Sequence, residues 1–358
     1  MNIVLTANFK NGLFLNGLTQ NILFLAELIN EIGYNSIICI PHDLEEGQDI
    51  PKDIDLIYEK DLNELENVTA ILETGWTLEY EDVKSLKKKS PSAKHVHIHY
   101  GNRMMSDVER CRSEDSIGIS RQPVDEVWIS PHYEESIPYF KTFYKNSNVF
   151  ILPYIWSPKY IDLHTDIFEK TNALPYYEPG NPFTFSILEP NLNMTKNCIP
   201  SVMIMEEVLQ RGAVDFDKLI VYCSHVIAEK KYFMYFINQL DLFRKQKISF
   251  AGRENLVGIF ARQANACISH QLMNGLNYTY LEALHFGIPL IHNSTYIQDA
   301  GFYYPGYDIH AGADQVEKMT TTYDRDYDKH MKKNAEILHR YSPKNDSVKA
   351  EYKRMIEA

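Results

Sequence analysis

The pattern of the chain predicts an α/β protein made of two doubly wound halves, each a mostly parallel sheet with helices packed on it. Three observations carry that prediction. Short apolar runs recur at regular intervals and alternate with helix-period segments, which is the signature of successive βαβ units. A stretch rich in proline and aromatic residues, 153–182, interrupts the series near its middle. The 358 residues, 44% of them hydrophobic, suffice for two separate cores with a ligand cleft between them.

In the first half the strand-like runs are 3–8, 36–41, 54–58, 69–72, 94–100, 126–130 and 148–152. A helix over Thr19–Ile32, closed by Gly33, joins the first two and completes an opening βαβ unit. The loop before it carries Gly12 and Gly17, placed where backbone N–H groups at a helix N-terminus approach a phosphate or sugar. Their spacing is not G-x-G-x-x-G, so a dinucleotide cofactor is disfavoured and a plain turn at Gly12 is the alternative. In the second half the runs are 183–188, 218–223, 247–252, 266–269 and 289–292, with helices expected near 197–211, 229–243, 254–265 and 277–286. The expected domains are therefore 1–155, a linker over 156–182, a second domain over 183–320, and a charged helical tail over 321–358 that is a candidate to pack back on the first domain.

A net charge of −12 leaves no general nucleic-acid footprint, and the one small basic patch, Lys84, Lys87, Lys88 and Lys89, reads equally as a solvated helix end. Five scattered cysteines without a C-x-x-C spacing suggest neither disulfides nor a zinc site, which fits a reducing compartment. The beginning MNIVLTANFK has no signal-peptide pattern, and no apolar run is long enough to span a bilayer. The expected location is cytoplasmic, of a bacterium, or of a host cell if the chain is encoded by a phage or virus. Asp324-Arg325-Asp326 resembles the D-x-D of metal-dependent sugar transferases, but it lies in the polar tail and reads as a helix start; Asp53-Ile54-Asp55 is discounted likewise.

Ligand residues of an open parallel sheet belong at the C-terminal ends of its strands. That rule selects Glu73-Thr74-Gly75, His99 through Asn102, and Ser130 through Tyr133 in the first half. His97 and His99 alternate with Val96 and Ile98 and so share a strand face; as a metal pair they lack an identifiable third ligand. The division expected instead is one packed histidine and one acting at the strand end. In the second half the stretch His270–Asn293 reads as a polar loop, an amphipathic helix ended by Gly287, a turn at Pro289 and a buried strand. It delivers Asn274, Gly275, Asn277 and Glu282 to one helix.

Residues 274–291, NGLNYTYLEALHFGIPLI, fall into register with the E-G-F-G-x-x-x-x-E-A-x-A-x-G-x-P-V-I segment of the GT-B glycosyltransferases, and 247–269 are similar to the preceding part of their nucleotide-binding half. A narrower resemblance, to a bacterial family of uncharacterised glycosyltransferases, covers about residues 1–310 through GLTQN (17–21), EVWISPHY (126–133), LPYIWSP (152–158), ILEPNLNMTKN (187–197), LNYTYLEALHFGIPLIHNS (276–294) and AGFYYPGYD (300–308). The resemblance implies a GT-B architecture, two Rossmann-like domains facing each other across a cleft. It further implies an enzyme that moves a sugar from a nucleotide donor, UDP-linked, to an unidentified acceptor without a bound metal or other cofactor.

By that resemblance Glu282 holds the donor ribose, its carboxylate accepting from the diol, while Asn274 stands where the family pattern has a second glutamate. Asn274 and the backbone N–H groups of Gly275, Leu276 and Asn277 then face the diphosphate or the sugar. Lys196 matches the lysine of the R-x-x-x-x-K pair and supplies the cation a leaving diphosphate needs, with Asn191 at the arginine position. Arg253 to Asn255 are candidates to read the nucleobase, mainly through backbone atoms, with a helix cap as the plain alternative, and Gly17 completes the donor-side set. His99 resembles the histidine near the reacting sugar in retaining members, which implies that it positions the donor sugar or relays the acceptor proton; its ordinary pKa of about 6.5 suits either task. Glu73 and His132 are the rival catalytic candidates. The competing functions are a phage or viral DNA-base glycosyltransferase, a nucleotide-sugar epimerase, and a non-catalytic nucleotide-sugar-binding module. The expected partners are thus the nucleotide sugar and an acceptor that is a glycan, a protein or a modified DNA base.

Overall fold

The computed structural model describes residues 1–9, 17–41, 54–111, 122–145, 147–169 and 173–358. Gly12 and Asp53 lie outside the described residues. The chain divides into two compact units, Met1–Ser157 with Tyr341–Ala358, and Pro158–Arg340.

The first unit is built on β1 (Asn2–Thr6), β2 (Asn35–Ile40), β3 (Asp55–Tyr58), β4 (Val68–Glu73), β5 (Lys94–His99), β6 (Glu126–Ile129) and β7 (Asn148–Ile151). All neighbours pair in parallel, in the order β3-β2-β1-β4-β5-β6-β7. Every apolar run expected to be a strand is one. Parallel strands covered on both faces need apolar residues at consecutive positions, and Ile3, Val4 and Leu5 of β1 are wholly buried. The order reverses between β1 and β4. There Gly75 lies so close to β1 that an added Cβ would stand 2.9 Å from Ala7 Cα, and its N–H donates to the Thr6 carbonyl at 2.9 Å.

The helix Asp346–Glu357 also belongs to this unit. Lys94 Nζ donates to the Met355 carbonyl at 2.8 Å, Tyr352 Oη to the Pro153 carbonyl at 2.9 Å, and Lys349 pairs with Glu31 at 2.7 Å. Tyr352 is fully buried there.

The second unit is built on β8 (Thr184–Ile187), β9 (Lys218–Val221), β10 (Ile248–Phe250), β11 (Ala266–Ser269), β12 (Leu290–His292) and β13 (Phe302–Tyr303), in the order β10-β9-β8-β11-β12-β13 and again parallel throughout. The two-residue β13 is too short to leave a periodic pattern. The helix expected over 229–243 is three, His225–Ala228, Lys231–Ile237 and Asp241–Arg244. Leu240 turns to extended backbone, and the buried Glu206 carboxylate accepts the N–H groups of Asp241 and Leu242, both at 2.9 Å, so the last segment starts anew.

The unit boundaries differ from the expected domains in two places. Residues 156–182 are not a free linker, because the helix Lys159–Glu169 belongs to the second unit. It packs where Gly258 leaves room for Phe168, Arg262 stacks over the Phe168 ring at 5.2 Å, and Asp162 meets His285 at 2.8 Å. The tail is divided, since the helices Ile309–Thr322 and Tyr327–Arg340 stay in the second unit. Asp324 precedes the latter and accepts from Tyr177 Oη at 2.5 Å and the Gly180 N–H at 2.9 Å, pinning the proline-rich stretch. Among the described residues no helix is long and apolar enough to cross a membrane.

Candidate functional sites

In the second unit the strand order reverses between β8 and β11, and the loops leaving both strands carry a buried polar network. Glu189, just past β8, is 2% exposed. Its carboxylate accepts from Gln271 Nε2 at 3.2 and 3.1 Å and from Ser269 Oγ, and Gln271 Oε1 accepts from Asn274 Nδ2 at 3.0 Å. Burial pushes the Glu189 carboxyl up to about 7, against the pull of Ser269, the Lys196 charge and Gln271. Burial lowers the Lys196 ammonium in turn, and Glu189 opposes that shift. The two loops are tied where the Leu272 N–H donates to the Thr195 carbonyl at 3.3 Å.

The helix bearing Glu282 spans Tyr278–His285 and is capped by Asn277, whose Oδ1 accepts from the Thr279 N–H at 3.2 Å. Gly287 ends it with φ +65°. Glu282 is the ionisable group of this segment with the plainest invitation to a ligand: burial alone lifts its carboxyl from 4.5 to about 7, and no described residue donates a hydrogen bond to it. Leu276 is buried beneath the loop. At Gly275 an added Cβ would stand 2.9 Å from the Tyr296 ring, and the Gly275 carbonyl accepts from Ser294 Oγ.

Two expected donor contacts are otherwise engaged. Asn191, at φ +53°, turns its side chain onto its own loop: Oδ1 accepts from the Cys198 N–H at 2.8 Å and Nδ2 donates to the Glu189 carbonyl at 2.8 Å. Asn255 is the cap of the helix Leu256–Arg262, accepting from the Val257 N–H at 2.9 Å, so the plain alternative holds for its side chain. Arg253 is exposed just past β10, on the same edge of the sheet.

In the first unit, Glu73, His97, His99, Arg103, Gln122 and Tyr144 help line a cavity of about 470 Å3 at the C-terminal ends of β4 and β5. The parallel register sets Glu73 beside His97, and strand alternation puts His95, His97 and His99 on one face. His95 Nε2 lies 3.0 Å from Glu73 Oε1, and His97 Nε2 lies against Glu73 Oε2. Burial works to raise the Glu73 carboxyl, and the two imidazoles outweigh it and hold it below its ordinary value. A third group for the histidine face therefore exists, contrary to expectation, and the set is Glu73, His95 and His97 rather than His97 with His99.

His99 is the strand-end histidine as expected, its Nε2 3.0 Å from Tyr144 Oη and its ring 4.9 Å from Phe140. Its titration is not as expected. Burial, then the neighbouring His97 and Arg103, push it down to about 3, so it is neutral across the physiological range and is poorly suited to carry a proton. His132 packs against Tyr133 and Tyr154 and is not among the residues lining this cavity. Gly17 opens the helix Gly17–Glu31, its carbonyl accepting from Asn21 Nδ2 at 2.9 Å. Glu189, Ser269, Gln271 and His95 were missed in sequence. The strand-end rule, applied to β8 and β11 as it was to the first sheet, would have selected the first three.

The profile of one family, described as protein of unknown function (DUF2827), matches residues 2–356. The chain belongs to this family. No curated protein matches it by sequence. Solved structures place the family member's fold. The pneumococcal O-GlcNAc transferase GtfA in complex with UDP and GlcNAc is 11% identical, with a TM-score of 0.59 over 100% of this chain and 98% of that one. An alpha-glucosyltransferase in complex with UDP and a 13-mer DNA containing a HMU base is 12% identical, with a TM-score of 0.64 over 99% of each. The trehalose 6-phosphate synthase of Burkholderia multivorans is 10% identical, with a TM-score of 0.60 over 99% and 96%. What they share with this family member is the fold, two parallel sheets of the GT-B class.

Proposed function

We propose that the chain is a glycosyltransferase that takes a sugar from a UDP-linked donor held by its second unit. The carboxyl of Glu282 carries this reading. It is a partly enclosed acceptor to which no described residue donates, and a ribose diol supplies two O–H groups to such an acceptor. The structures of GT-B fold that bind UDP supply the nucleotide class. Lys196 and the backbone N–H groups of Gly275, Leu276 and Asn277 take the diphosphate, so that the leaving charge meets an ammonium and amides rather than a divalent ion. Neutral His99 orients a sugar or acceptor hydroxyl by hydrogen bonding.

A DNA-base acceptor is the second reading, favoured by the likeness to the alpha-glucosyltransferase bound to DNA. The basic patch gives it little support, because Lys84 pairs with Glu81, Lys87 with Asp125 at 2.6 Å, and Lys89 donates to the Asn63 carbonyl. We place the activity in a reducing cytoplasm, a reading supported by the free state of all five cysteines.

The test is a thermal-shift series with UDP, UDP-glucose and UDP-N-acetylglucosamine, followed by an assay of UDP release with and without hydroxymethylated duplex DNA. A ligand that binds the folded state raises the melting temperature. No shift with any uridine nucleotide would retire the donor assignment. A shift without UDP release would leave a binding module, and turnover of donor without acceptor would point to an epimerase.

A further inference from the structure

We infer that Glu73, His95 and His97 form a binding site for one divalent transition-metal ion, of the zinc or iron(II) class, beside the cavity of the first unit. Their ligand atoms all lie within 4.8 Å of one another. The three residues are 4%, 2% and 5% exposed, and Glu73 Oε2, His95 Nε2 and His97 Nε2 are fully enclosed yet make no hydrogen bond of normal geometry with a described residue. Beyond the contacts of Glu73 with the two imidazoles these buried atoms have no described partner, and buried polar atoms are almost always satisfied, so the point on which they converge suits a cation.

The surrounding hydrogen bonds are compatible with a metal ion at that point. Tyr144 Oη lies 3.1 Å from His97 Nδ1 and 3.0 Å from His99 Nε2. A hydroxyl has one proton to give; when it goes to His99, His97 Nδ1–H is the donor to the oxygen and His97 Nε2 bears the lone pair. In that tautomer His97 Nε2 is available as a metal ligand beside the Glu73 carboxylate. On the other side of the carboxylate, Glu73 Oε1 accepts the Leu78 N–H at 3.0 Å, which fixes its plane and leaves Oε2 directed at the imidazoles.

Two imidazoles and one carboxylate are a donor set for zinc or iron(II), and an outer hydrogen bond at the far ring nitrogen, such as the contact of His97 Nδ1 with Tyr144 Oη, is the usual support of a ligating histidine. The nearby guanidinium of Arg103 does not oppose a cation at full strength, because Asp107 pairs with it at 2.7 Å. Glu73 and His97 also line the cavity, so the remaining coordination positions open towards it. The site lies in the first unit and does not rest on the donor assignment in the second.

The test uses the full chain without purification histidines. It is stripped with a chelator, reloaded with zinc or cobalt(II) at micromolar concentration, passed through gel filtration and analysed for metal by mass spectrometry. The expected result is about one equivalent per chain, visible ligand-field bands in the cobalt form, and less than about a tenth of an equivalent in His97→Gln. The surface variant His310→Gln keeps the full content. Should His97→Gln not fold, the wild-type cobalt spectrum and a fall in wild-type melting temperature on chelation carry the test. A folded wild-type chain that retains neither metal, with its melting temperature unmoved by chelator, overturns the inference and leaves the cluster as a buried proton-sharing ion pair.

Discussion

Glu282→Gln is the substitution that most directly probes the donor site. It keeps the shape of the side chain and removes the charge on which the proposed diol contact depends. Hydrogen bonds to a charged group contribute about 1.5–3 kcal/mol, so the variant should bind UDP roughly 10- to 150-fold more weakly where the wild-type carboxyl is ionised. The elevated pKa makes a sharper prediction. With a midpoint of about 7, the wild-type carboxyl is about one-tenth ionised one pH unit below it and about nine-tenths ionised one unit above. Wild-type affinity should therefore rise close to tenfold across that window, beyond whatever slope the phosphates of UDP contribute. Glu282→Gln should show the phosphate slope alone. Calorimetric titration of both proteins at three pH values measures the difference between the two slopes. Equal affinities, or parallel slopes, would refute the assignment of Glu282 to the ribose.

The same carboxyl predicts a stability effect of opposite sign. Its folded pKa is raised from 4.5 to about 7, so the folded chain binds more protons than the unfolded chain between those values, and the group's contribution to stability falls as pH rises through that window. Glu282→Gln should melt higher than wild type in alkaline buffer without ligand and lose that advantage in acid; a variant less stable than wild type at high pH would contradict it. His99 is held near 3, so the pH profile of turnover should carry no limb from it near neutrality, and a limb that vanishes in His99→Gln would return it to proton transfer. Gly275→Ala drives a methyl to 2.9 Å from the Tyr296 ring and should cost about 1–3 kcal/mol of stability together with UDP affinity, read by denaturant unfolding and thermal shift. Asn255→Ala should cost about 1 kcal/mol as a lost helix cap while leaving UDP affinity within about twofold; a larger loss of affinity would show that its side chain reads the base.

Most of the architecture was legible in the sequence, because parallel strands buried on both faces and helices ended by glycine are written in local patterns. The apolar runs from Ile3 to His292 became β1 to β12, and Gly287, read as a helix stop, adopts the left-handed conformation that role requires. Glu282 was placed on the right helix for the same reason, with Asn277 at its start as the cap. Contacts between elements distant in sequence were not legible. His95 and His97 are two residues apart, but their carboxylate arrives from β4 through strand pairing, and Glu189 finds Gln271 across some 80 residues at a reversal of strand order. Side-chain commitment was equally hidden. Asn191 has the chemistry to hold a ligand, and only the folded loop turns it onto the Cys198 N–H, which would otherwise lack a partner, whereas the local cap at Asn255 was among the sequence alternatives. The titration of His99 belongs to the same class: its type and its place at a strand end come from the sequence, while the enclosure that keeps it neutral is created by Phe140, Tyr144 and Arg103, brought to it from outside its own strand.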